Sequence, residues 1–411
     1  MSACLNWVPR VDNGLKNRSP QIKCVIAWRR YLRTLCPGRL WMGKLKSIEH
    51  GIKAAVFRLF QPTLKRKRKD FTAIDGNSIS RVLFLRPEKI GDMVISFPVF
   101  DGLKERYPHL KISILGSPRS YTIIKDDPRF DKVFLYRKNL RDLPEMASMR
   151  REKYDCVVDM ICDDSVTALF LSQLAAPGRP RIGVGKVKFR DYYDYNYDHR
   201  MGNTGHIIDN TLKLLEAFGI DSDRVSRYAS PHVAKSDTTE AEKFLGTIAD
   251  GHQDALTIGL NLSAGSITRV WEDSKCREFI HCILSTYQNC RVVILTVGQD
   301  RARGEALVGG FDSSVYHVPP GLSLTGAAAL ISQLDLLVTP DTSLVHIARA
   351  FKVPVVGLYT QFMKNFLLWR PYGQEVGAVV SGNDYNVHDI TVDQVLAAFT
   401  QVVDGHCGVR G

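Results

Sequence analysis

The sequence predicts an α/β protein made of two doubly wound halves in tandem. Three observations point to it. From Ile79 onward, strand and helix patterns alternate. The strand candidates are β-branched and apolar almost throughout, as strands covered on both faces are. The alternation stops in a polar, proline-containing stretch, RYASPHVAKSDTTEA (227–241), and then restarts. At 411 residues the chain has room for two such domains. The expected divisions are an N-terminal extension over 1–78, a first domain over 79–232 and a second over 233–411.

In the first half the strands are expected at 81–85, 111–115, 132–136 and 155–159, with helices at 92–107, 119–125, 164–174 and 206–218. In the second half strands are expected at 256–261, 291–297, 335–338 and 354–358. Helices are expected there at 273–287, 300–308, 324–333 and 343–351. Asp237-Thr-Thr-Glu, at the end of the polar stretch, offers an acid-rich helix start. Ligands of doubly wound sheets sit beyond the carboxyl ends of the strands, here in a cleft between the halves.

The net charge of +12 is concentrated at one end. Residues 1–70 hold eight Lys and nine Arg against Asp12, Glu49 and Asp70, a net +14, which leaves the remainder at −2. The globular part therefore makes no general electrostatic claim on nucleic acid. Residues 22–61 read as basic amphipathic helices, with Trp, Leu, Ile and Phe spaced among Lys and Arg, and KRKRKD (65–70) follows. Such helices suit an anionic membrane surface; a solvated arm or a collar packed on the domain is the plainer alternative. No apolar run approaches the roughly 20 residues of a membrane span, and no secretory leader is visible. The nine cysteines are scattered without a CxxC pair, which argues against zinc and fits a reducing cytosol.

The polar residues of interest fall at strand ends. After 81–85 comes the turn RPEKIGD, in which Gly91 permits unusual backbone and Asp92 opens a helix. Asp92 is either a helix cap or a carboxylate facing the cleft as general base. After 256–261 comes Asn261-Leu-Ser-Ala-Gly-Ser266, then Arg269. The hydroxyls and backbone N–H groups of Ser263, Gly265 and Ser266 suit a phosphate, and Arg269 adds a forked cation. Asp300, after 291–297, could take ribose hydroxyls or cap a helix. Asp341-Thr342-Ser343 opens a helix carrying His346, and its free N–H groups favour a diphosphate. There is neither a P-loop nor a GxGxxG at the first strands, which weighs against a dinucleotide oxidoreductase.

With these pieces in view, the chain resembles the family 9 glycosyltransferases, the ADP-heptose:lipopolysaccharide heptosyltransferases, from about Ile79 to Tyr372. The resemblance rests on RVLFLRPEKIGDMVISFPVFDGLKERYP (81–108) and on DLLVTPDTSLVHIARAFKVPVVGLYT (335–360) with WRPYG behind it. It implies a GT-B fold, two Rossmann-like domains facing a cleft, with Asp92 as base. It further implies donor contacts at Ser263 to Ser266, Arg269, Asp300, Asp341, Thr342, Ser343 and His346. The basic extension lies outside the resemblance. Two positions depart from the family pattern: Ser343 stands where the family has Gly, and Arg269 where it has Lys.

The expected activity is inverting transfer of heptose from ADP-heptose to a lipopolysaccharide inner-core acceptor, with no metal and no further cofactor. The expected partner is an anionic glycolipid, lipid A–Kdo core, at the cytoplasmic surface of the inner membrane, with no nucleic acid. Candidate acceptor contacts are Lys89, Gly91, Arg119, Arg137 and Lys138, with the basic stretch RIGVGKVKFR (181–190) behind them. A GT-B transferase using a UDP-hexose, and a non-catalytic membrane- or RNA-associated binding protein, are the alternatives.

Overall fold

The computed structural model describes residues 58, 61, 62, 64–66, 71–198, 205–249, 255–311 and 314–407. The chain forms two compact units, Met1–Leu64 and Lys65–Gly411. In the first, the described positions 58, 61, 62 and 64 are helical; the rest of the basic extension lies outside the described residues.

The second unit contains two six-stranded sheets. The first comprises β1 (Arg81–Leu85), β2 (Lys111–Gly116), β3 (Lys132–Leu135), β4 (Cys156–Asp159), β5 (Arg181–Val184) and β6 (Tyr195–Tyr197), in the order β3-β2-β1-β4-β5-β6. The second comprises β7 (Leu256–Asn261), β8 (Cys290–Leu295), β9 (Val315–His317), β10 (Leu336–Pro340), β11 (Val355–Tyr359) and β12 (Ala378–Val380), in the order β12-β11-β10-β7-β8-β9. All neighbouring strands run parallel. Each sheet therefore reverses its winding beside its first strand, which opens a crevice at that strand's carboxyl end. Every residue of β4, β5, β8, β10 and β11 is buried, as strands covered on both faces are.

One expected helix is two. In place of 92–107 the chain forms Ile90–Val94 and Phe97–Arg106. Pro98 has no N–H to offer the carbonyl four residues earlier, so the first helix ends beside it. The Ser96 hydroxyl donates to the Asp92 carbonyl at 2.8 Å and closes the break. The helix expected over 206–218 likewise tightens into a 3₁₀ turn over Lys213–Phe218.

A buried ion pair crosses the first sheet's carboxyl edge. Lys186 Nζ lies 2.7 Å from Asp159 Oδ2, and both side chains are sealed from solvent. Tyr193 donates its hydroxyl to the same carboxylate, and Lys186 also donates to the Ile161 and Asp163 carbonyls. Lys186→Met strands the Asp159 charge, and we expect a loss of about 3–5 kcal/mol of stability. Denaturant unfolding checks this; a loss below roughly 1 kcal/mol, the range of an exposed pair, would contradict it.

Candidate active site

β1 ends at Leu85, and the next residue turns inward. Arg86 is 1% exposed. Its Nε donates to the Asp92 carbonyl at 3.0 Å, and Nη1 donates to Glu88 Oε2 at 2.6 Å and to the Met160 carbonyl. Its Nη2 makes no hydrogen bond and lies 3.7 Å from Asp92 Oδ1. The other carboxylate oxygen, Oδ2, accepts the Lys89 N–H at 3.0 Å. Asp92 thus sits in the first turn of its helix and reaches back to close that helix's start. Burial opposes the charge on Arg86, but Glu88 and Asp92 outweigh it and hold the guanidinium above its ordinary pKa. Burial raises the Glu88 carboxyl above the usual carboxylate range, with Arg86 pulling the other way.

The second wall is built from β7 and β10. Asn261 closes β7, and its side-chain amide donates to Thr339 Oγ1 at 2.9 Å and to the Ser263 carbonyl at 3.0 Å, tying the two strand ends together. Arg269 Nη1 donates to the Asp341 carbonyl at 2.9 Å and to its Oδ2 at 3.1 Å. Thr342 caps the helix Ser343–Ala350 by accepting the Leu344 N–H at 3.3 Å. His346, in that helix, is 3% exposed. Burial, with Arg349 nearby, lowers its pKa to about 3, so the imidazole is neutral at physiological pH. Its Nδ1 is buried without a hydrogen-bond partner, and its ring lies 5.8 Å from that of Trp369.

These two walls enclose one cleft of about 470 Å³. The first half lines it with Lys89, Gly91, Asp92 and Arg119, and the second with Gly265, Arg269, Asp341, Thr342, Ser343 and His346. At its base the helices Ile90–Val94 and Ser343–Ala350 meet. A Cβ on Gly91 would stand 3.0 Å from His346 Cδ2, so the bare backbone is what admits this approach.

Other candidates lie elsewhere. Ser263 is buried, donates to Asp300 Oδ2 at 2.6 Å and accepts the Val297 N–H at 2.9 Å, which pins the β7 turn to the β8 turn. Ser266 caps the short turn Ile267–Arg269. Arg137 and Lys138 follow β3 on an exposed turn outside the cleft lining. Of the basic stretch 181–190, Arg181 and Lys186 are interior residues. Trp369, which lines the cleft, and Arg86, which grips Asp92, were not singled out from the sequence. The signal for Arg86 was a cation immediately after an apolar strand. Among the described residues, no cluster of three or more His, Cys, Asp or Glu side chains could hold a metal ion. No described helix is long and apolar enough to cross a membrane.

The sequence matches the family model for glycosyltransferase family 9 (heptosyltransferase) over residues 146–397. The chain belongs to this family. Family members among its relatives include lipopolysaccharide heptosyltransferase 3 of Escherichia coli K12, 25% identical over 307 residues, covering 71% of this chain and 86% of that protein. The family 9 glycosyltransferase of Veillonella parvula superposes with a TM-score of 0.66 at 18% identity, covering 82% of this chain and all of that one. The E. coli heptosyltransferase WaaC with ADP superposes at 0.59 and 16% identity, covering 80% and 98%. This family 9 glycosyltransferase thus has the GT-B architecture.

The neutral His346 carries a pH signature. Below pH 6.5 the unfolded chain binds a proton that the folded site refuses until about pH 3, so this residue's contribution is lost as pH falls through that window. The slope is up to about 1.4 kcal/mol per pH unit. We expect His346→Gln to lose less stability than the parent between pH 7 and pH 5 in urea unfolding. Parallel pH profiles would contradict it.

Proposed function

We propose that this enzyme moves a heptose from ADP-heptose to a sugar hydroxyl of a lipopolysaccharide inner-core acceptor, with inversion at the anomeric carbon. One observation carries the reading: Asp92 and the N-terminus of the helix Ser343–Ala350 line the same cleft from opposite halves. The relatives' names add support, including a heptosyltransferase described with ADP.

In this reading the second half takes the donor. The diphosphate lies against Thr342 and Ser343, where helix N–H groups and Arg269 meet its negative charge. The acceptor enters from the first half, past Lys89 and Arg119. Its hydroxyl oxygen bonds to the anomeric carbon as the carbon–oxygen bond to the diphosphate breaks. Asp92 takes the hydroxyl proton, and ADP leaves with the bonding electron pair. One displacement inverts the centre, so no second nucleophilic carboxylate is required. Asp341 positions Arg269, and neutral His346 presents an uncharged wall to the donor. The fixed cations and helix dipole supply the charge stabilisation that a metal would otherwise bring. Ser263 and Asp300 act behind the site by holding the loop from Gly265 to Arg269 in place. The basic extension and the glycolipid acceptor together place the enzyme peripherally on the cytoplasmic face of the inner membrane.

We expect Asp92→Asn to lower kcat by about 10²–10⁴-fold, the usual worth of a positioned base. Calorimetric affinity for ADP should stay within about twofold, since that side chain faces the acceptor. Near-parental turnover removes Asp92 from the chemistry. Binding of UDP in preference to ADP in the same titration overturns the donor assignment.

A further inference from the structure

The turn between β3 and the helix Leu143–Arg151 has an unusual surface. Residues 137–141 are all exposed. Leu140 is 82% exposed and Leu143 is 59% exposed. They stand three residues apart across the 3₁₀ turn Leu140–Asp142 and the start of the helix, a spacing that shares a face. Three cations, Arg137, Lys138 and Arg141, surround them.

The acids of this segment are turned away. Asp142 is buried; its carboxylate accepts the N–H of Arg137 at 2.9 Å and of Asn139 at 3.2 Å. Glu145 accepts the Leu135 N–H at 3.0 Å. Arg137 shares Asp142 at 3.6 Å, whereas Lys138 and Arg141 meet no carboxylate among the described residues. Lys138 is held at φ 64° between the two N–H groups that Asp142 grips, so the turn is locked with its cationic, leucine-tipped side outward.

We propose that this turn docks the enzyme on an anionic lipid bilayer. Leu140 and Leu143 enter the boundary between headgroups and acyl chains, while Lys138, Arg141 and Arg137 lie on lipid phosphates. Two leucines ringed by cations fit this chemistry better than a protein partner, whose stable docking takes about 800 Å² per side. The position fits as well. β3 is two strands from β1, so the turn stands on the same carboxyl-end rim as Lys89–Asp92, displaced sideways by roughly 10 Å. The inference rests on the proposed glycolipid acceptor: a lipid anchored in the bilayer would present its sugar to the cleft from this side.

The test uses the full chain and vesicles of brominated phosphatidylglycerol. Leu140→Trp should show tryptophan quenching in excess of the parent protein, and none with brominated phosphatidylcholine. The double variant Leu140→Asp with Leu143→Asp should partition onto phosphatidylglycerol vesicles at least about tenfold more weakly in 0.5 M salt, where surface charge is screened and burial of the leucines dominates. Equal quenching and equal partitioning would mean that the basic extension alone binds lipid, and would overturn the proposal. A change in self-association without excess quenching would assign the turn to a protein contact and overturn it too. Neither readout involves transfer, so loss of the ADP-heptose reading leaves this result standing, and the reverse.

Discussion

A guanidinium sealed from water organises the first half of this enzyme. Stripping the Arg86 charge of solvent costs several kcal/mol unless protein groups replace the lost hydration. They come from separate strand ends: the Asp92 carbonyl and Glu88 carboxylate after β1, and the Met160 carbonyl after β4. Ser117, after β2, adds a hydrogen bond of 2.7 Å to the Glu88 carbonyl. The Asp159–Lys186 pair then joins β4 to the turn after β5. The cleft carboxylate therefore cannot shift unless three neighbouring loops shift with it. This is the rigidity that the proton acceptor proposed above needs.

The second half reaches the same end with uncharged groups. Asn261, Thr339 and Ser263 link the ends of β7 and β10, and Ser263 continues to Asp300 beyond β8. At the front, Arg269 and Asp341 pair at 3.1 Å and restrain each other. A cradle made mostly of neutral donors leaves little competing negative charge at the position proposed for the diphosphate.

What could be read from the sequence follows from burial. The central strands β1, β2, β7, β8, β10 and β11 were legible because their apolar runs are continuous. β6, β9 and β12 are three-residue edge strands, partly exposed, and leave no such run. β5 was hidden because Arg181 and the nearby Lys186 looked like surface cations, yet both are buried with hydrogen-bonding or charged partners. Within the site, Asp92, Arg269, Asp341 and Thr342 stood out because each follows a strand. Ser263 stood out for the same reason, but its hydroxyl serves the scaffold. That distinction depends on Asp300, 37 residues away, and no local pattern records it. Arg86 was passed over because a cation beside Glu88 and Asp92 reads as a solvated turn; what marks it as interior is the Met160 carbonyl, 74 residues away.

The close approach of Gly91 to His346 has a mechanical consequence. Any rotation that uses this touching point as its fulcrum displaces atoms in proportion to their distance from it. Asp92 is the very next residue, so its lever arm is short, whereas the outer lips of the two lobes sit at the end of long ones. Opening wide enough to pass a bulky molecule then barely alters the spacing between the carboxylate and the helix start opposite.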